Sequence, residues 1–134
     1  MINEFETALY TTLTAASPGV SVFNTLSRGN PPYIVFEHIT GAVDHASNRT
    51  ADELSYAVKC IDDSMDGMNS VRTAASYADK VRTTLTGPDA INVTGSLSGY
   101  TCTGLWLVRP IKYIDGAGFW HAGDEFRFRI SKAK

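Results

Sequence analysis

The chain has 134 residues, 43% of them hydrophobic and 19% charged, which suits one compact core and excludes a disordered tail or a fibrous repeat. One domain over residues 1–134 is expected. Twelve Lys and Arg against fourteen Asp and Glu give a net charge of -2 with no basic run, so the clustered positive face of a dedicated nucleic-acid binder is missing. No apolar stretch approaches the roughly 20 residues that span a bilayer, and the first residues are acidic rather than basic, against both a membrane span and a signal peptide.

Phe5, Ala8, Leu9, Thr12, Leu13 and Ala16 recur at intervals of three and four, which predicts a helix over residues 3–16 with one apolar stripe. Asn3 is placed to cap it, Glu4 and Glu6 suit the positive end of its dipole, and Ser17-Pro18-Gly19 ends it. A short strand over 20–26 and a Gly- and Pro-containing turn over 27–32 follow. Residues 33–40 (YIVFEHIT) are β-branched and aromatic and read as a strand buried on at least one face.

Residues 41–52 lack periodicity and read as an exposed loop or hairpin excursion. Leu54, Tyr56, Val58 and Cys60 alternate with Ser55, Ala57 and Lys59 as in a strand with one apolar face. Asp62, Asp63 and Asp66 are assigned to the start of a second helix, since they lack the Gly and Glu spacing of a calcium loop. That helix carries Met68, Val71, Ala74, Ala75, Ala78, Val81 and Leu85 on one side and Arg72, Asp79, Lys80 and Arg82 on the other. Its alanines allow a close approach to a sheet, and Gly87-Pro88 stops it.

The last third is strand-like over 90–97, 100–113 and 126–131, with a turn over 115–124. Runs of strands with few helices between them favour α+β: a mainly antiparallel sheet with two helices packed on one face.

The chemistry-bearing residues form no catalytic pattern. His38, His45 and His121 have no metal-binding spacing, and Cys60 and Cys102 read as reduced core residues. No nucleophile elbow surrounds Ser64, Ser70 or Ser76, and the glycines build neither a phosphate loop nor a dinucleotide fingerprint. Neither catalytic residue nor cofactor nor metal is therefore assigned.

Two features stand apart. Phe119-Trp120 lies in a turn-rich stretch, where Trp120 packs into the end of the core or forms an exposed contact for another subunit. Arg109, Arg127 and Arg129 alternate with apolar residues, as on a solvated sheet face or at an interface.

The order of landmarks is also informative. A first helix with Ala8-Leu9-Tyr10 and Leu13 leads to Pro32-Tyr33-Ile34-Val35 and then to Tyr56-Ala57-Val58-Lys59. The second helix carries Ala74-Ala75-Ser76-Tyr77-Ala78-Asp79-Lys80-Val81-Arg82 and Leu85. Arg109, Ile111, Tyr113, Asp115 and a final Phe126-Arg127-Phe128-Arg129-Ile130 close the series. Over nearly its whole length this pattern resembles the tail-completion, or tail terminator, proteins of long-tailed bacteriophages and prophages.

The resemblance implies a non-enzymatic virion protein, assembled in the bacterial host cytoplasm, that forms a homo-oligomeric ring, expected to be a hexamer. Such a ring caps the tail tube near the head-tail junction, with the tail tube protein and the head-tail connector protein as partners and no cofactor. Subunit or partner contacts are then expected in the 41–52 loop (Asp44, His45, Arg49), at Arg109, and in the 115–124 turn (Phe119, Trp120, His121). A connector or tube subunit of the same particle is the alternative. A small-ligand-binding α+β domain, with a pocket around His38, Tyr56 and Arg109, ranks below both.

Overall fold

A computed structural model of the chain describes residues 2–16, 20–24, 32–43, 51–63, 68–86 and 100–132. Among these run α1 (Ile2–Ala16), β1 (Ser21–Asn24), β2 (Tyr33–Val43), β3 (Ala51–Asp63), α2 (Met68–Thr86), β4 (Tyr100–Ile114) and β5 (Phe119–Lys132). The strands form one sheet in the order β1-β2-β3-β5-β4, antiparallel throughout except for the short parallel pairing of β1 with β2. Both helices pack on one face of this sheet, as expected of the α+β class.

That face holds the core. Period-3.6 spacing brings Phe5, Ala8, Leu9 and Leu13 of α1 and Ala74, Val81 and Leu85 of α2 to the sheet, and all are buried. Period-2 alternation sends Ile34 and Phe36, then Tyr56, Val58 and Cys60, then Phe126, Phe128 and Ile130 to meet them. Phe5 is the hinge of the packing, with ring centroids 5.3 Å from Tyr56 and 4.9 Å from Phe128. One polar link crosses the same layer: Glu6 Oε1 accepts from Tyr56 Oη at 3.0 Å, and Oε2 accepts from Asn24 Nδ2 at 2.6 Å. Burial and the Glu6 carboxylate both raise the pKa of the Tyr56 hydroxyl, which therefore stays a donor.

A second polar link, an ion pair, joins α2 to the sheet. Arg82 grips the buried Asp124 with two donors, Nε to Oδ2 at 3.0 Å and an η-nitrogen to Oδ1 at 2.5 Å. The opposite, helix-free face carries a smaller cluster of Tyr33, Val35 and Ile61, with Phe23 and Phe119 packed against it. Beside it ion pairs run across the strands, from Glu37 to Lys59, Glu53 to Arg129 and Glu125 to Arg109.

The structure revises several boundaries. β2 continues to Val43 and pairs there with Asp52, so the expected 41–52 loop is in part a hairpin ladder. Asp62 and Asp63 end β3 instead of opening α2, whose first turn holds no acidic residue. Their place is fixed by cross-strand pairing with Trp120 and Phe119. β5 begins at Phe119, so the expected 115–124 turn shrinks to its first residues. α1 begins at Ile2, ahead of the cap expected at Asn3. The predicted 90–97 strand and the turns at 17–19, 27–31 and 87–88 lie outside the described residues.

One backbone contact tolerates no side chain. A Cβ on Gly123 would lie 2.0 Å from the Val58 carbonyl oxygen and 2.7 Å from Lys59 Cα, whereas one on Gly116 would meet nothing within 4 Å. Gly123→Ala must therefore push β3 and β5 apart and is expected to destabilise the fold by about 2 kcal/mol or more. Gly116→Ala should stay within about 0.5 kcal/mol of the parent. Urea unfolding of the two variants checks this; equal midpoints would refute the close approach.

Candidate functional site

Among the described residues, the strand whose apolar side chains are left most exposed is β4. α2 packs chiefly over β3 and β5 and only its margin reaches β4, while α1 sits at the β1 side. The helix layer is thus narrower than the sheet. On the helix side of β4 Leu105 packs against the core, but Leu107 and Ile114 remain 40% and 49% exposed. On the other side Trp106 and Tyr113 are 47% and 43% exposed. An apolar strip of this kind on one strand is a candidate interaction surface.

The sides follow from the register. Leu105 and Leu107 oppose Phe128 and Phe126, whereas Trp106 opposes Arg127. An extra residue in β4, Val108, then bulges between Leu107 and Arg109, so that Arg109 opposes Glu125 and shares the face of Trp106. A similar slip lies between Cys102 and Gly104. Pro110 further removes one backbone donor, which a sheet accepts on an edge strand. Two bulges, a proline and the exposed Arg109 and Lys112 are the devices that discourage strand addition at an edge. The backbone of β4 is protected while its side chains are offered.

The hairpin between β4 and β5 is held stiff beside this strip. Asp115 Oδ1 accepts from the backbone amides of Ala117 and Phe119 at 2.9 and 3.0 Å, and the Asp115 amide donates to the Phe119 carbonyl at 2.9 Å. Gly118 turns the corner with φ 87°, where a glycine is at ease. Asp115 Oδ2 lies 2.7 Å from Nε2 of His121, which is buried and stacks on Tyr113 with centroids 4.4 Å apart and planes at 11°. Lys59 Nζ, also buried, donates to Tyr113 Oη at 3.2 Å and lies 3.6 Å from Glu37. A carboxylate, an imidazole, a phenol and an ammonium thus form one row that ties the hairpin to β3 and β2.

The hydrogen bond from His121, then that from Phe119, holds the Asp115 carboxyl down at about 2, against an ordinary value of 3.8. A carboxylate depressed in the folded state contributes stability that is present above its unfolded value and is lost as pH falls through its folded one. Denaturant midpoints measured between pH 5 and pH 2 should therefore fall less steeply for Asp115→Asn than for the parent. Identical pH profiles would sink this assignment.

The sequence-derived contact residues are dispersed. Asp44, His45 and Arg49 lie outside the described residues. Arg109 lies on β4 itself, its side chain 68% exposed and its Nε 3.0 Å from Glu125. Phe119 and Trp120 are half-buried on β5, with Phe119 against the Tyr33 cluster. His121 is 3% exposed. His38 and Tyr56 adjoin on the helix side, with rings 5.2 Å apart, while Arg109 points to the other face, so these three do not converge on a pocket. Cys60 is buried, and burial pushes its thiol up to about 12.

Among the described residues no group of three or more His, Cys, Asp or Glu is placed to hold a metal, and no helix is long and apolar enough to cross a membrane. The residues that sequence reasoning missed are Trp106, Leu107, Val108 and Ile114. The unbroken apolar run Leu105-Trp106-Leu107-Val108 was their signal, but such a run also describes a strand buried on both faces.

No family model matches the sequence, and no curated protein matches it. Solved structures do. A chain from the virion of a native gene transfer agent particle is similar with a TM-score of 0.60 at 23% identity, over 96% of this chain and 92% of that one. The two share one fold. A second solved chain is similar with a TM-score of 0.52 at 16% identity, over 98% of this chain and 94% of that one.

Proposed function

We propose that this chain is a structural protein of a phage-like virion, a tail-completion subunit that assembles with copies of itself into a closed ring. The ring caps the tail tube and meets the connector on the head side, and the chain has no catalytic role. The observation that carries this reading is the exposed apolar strip of β4, a composition that suits a protein partner. The shared fold with a virion chain, which extends over nearly the full length of both, supports the same particle. The resemblance of the landmark order to tail-completion proteins adds the position in the tail.

A ring requires a heterologous contact, in which one patch meets a different patch on the neighbour and the rotation closes. A tube subunit would use a similar contact but continue into filaments. Light scattering coupled to size exclusion, over a concentration series of the purified protein, separates these cases. A discrete oligomer near six subunits is expected. Open-ended polymers would favour the tube subunit, and a monomer at every concentration would count against self-assembly.

A further inference from the structure

The receiving patch for β4 has to lie elsewhere on the same chain if the ring reading, on which this inference rests, holds. The exposed faces of the two helices differ. The residues of α2 that face solvent include Arg72, Asp79, Lys80 and Arg82, the ordinary charged face of a solvated helix. Those of α1 with a described exposure are Thr7, Tyr10, Thr11, Thr14 and Ala15, and none is charged. These described positions have the composition of an interface core, where charged residues are depleted and Tyr is enriched.

The same edge is also concave. Glu6, Thr7, Tyr10, Asn24 and Phe36 line an open groove of about 360 Å³ between α1 and strands β1 and β2. Tyr10 is 47% exposed on it. The one charged residue among its described lining, Glu6, is held with both carboxylate oxygens engaged, one by Tyr56 and one by Asn24. The groove therefore presents a fixed negative charge among uncharged and aromatic groups.

The β4 strip is its opposite in each respect. It is exposed and apolar along Trp106, Leu107, Val108, Tyr113 and Ile114, and its charges are positive: Arg109, which also pairs with Glu125, and Lys112. Lys112 is exposed and has no partner among the described residues. The strip and the groove stand at the two ends of the sheet order, beyond β5 and at β1 respectively. An exposed apolar and basic strand at one end and an open groove with an acidic residue at the other suit a head-to-tail contact.

We infer that the α1–β1 groove of one subunit receives the β4 edge of a second copy of this chain, with side chains rather than a continued strand ladder making the contact. Two variants separate the surfaces without touching the core. Tyr10→Arg places a cation at the exposed rim of the groove, against Arg109 and Lys112 of the incoming copy. Trp106→Glu removes the large aromatic from the strip and places a carboxylate opposite Arg127 on the neighbouring strand, a pairing that the sheet accommodates. Far-UV circular dichroism and thermal midpoints close to the parent's establish that both fold.

Sedimentation velocity then reads the masses. Each variant alone is expected to be monomeric at concentrations where the parent is a ring. A 1:1 mixture, taken to about tenfold higher concentration to offset the loss of ring closure, should yield a dimer and nothing larger, because each partner keeps one intact surface. Assembly of Tyr10→Arg like the parent would overturn the inference in favour of β4 pairing with β4. A mixture that stays monomeric while the parent forms a ring would overturn it as well. A parent that is itself monomeric throughout would instead remove the ring reading, and this contact with it.

Discussion

The structure depends on β5 being paired along its length on both sides. Its 14 residues are in register with β3 from Phe119 to Ser131 and with β4 from Trp120 to Lys132. That double ladder fixes which residues face the helices, because a slip of one position would send Phe126, Phe128 and Ile130 to the other side. It also brings Gly123 against the β3 backbone and Asp124 under Arg82, so one strand sets the sheet register and the seat of α2 together. With β5 in the interior, β4 is the outer one of the described strands.

From that edge position the exposed strip follows by geometry. Among the described residues the two helices cover the sheet from β1 to β5 and only the margin of α2 reaches β4, so its helix-side residues are left exposed. Only Lys112, opposite Ala122, makes one of those described positions polar. Leu107 and Ile114 on one side, with Trp106 and Tyr113 on the other, keep apolar surface in water at a cost of roughly 25 cal/mol per Å² relative to burial. The Asp115 hairpin and the Lys59–Tyr113–His121 row keep one end of this strip rigid, which limits the ordering entropy lost on docking.

Much of the fold was legible in the sequence, for identifiable reasons. The stripe of Phe5, Ala8, Leu9 and Leu13 and the alternation around Tyr56 are local periodic signals, and both were read correctly because burial on one face leaves them no other pattern. The ends of elements were less readable. Asp62 and Asp63 look like helix-capping residues until a partner strand occupies them, and His121 to Asp124 look like a turn until β3 and β4 pair with them. The candidate interface was the least legible. Residues 105–108 have the same composition whether a strand is buried on both faces or exposed at an edge, and only the tertiary order of strands decides between the two. Pro110 was the one local hint of an edge.

Pro110 and the bulge at Val108 bear on how subunits would find one another. A strand edge with a complete set of donors and acceptors seizes any other edge it meets, and a ladder once zipped is slow to undo. Here a missing donor and a broken register keep an imperfect encounter from being locked by backbone bonds. A misaligned pair is held only by side chains that fit poorly, so it separates and tries again. Assembly on such a surface would be self-correcting: wrong registers would be erased quickly, and the surviving contact would be the one in which every side chain has found its place.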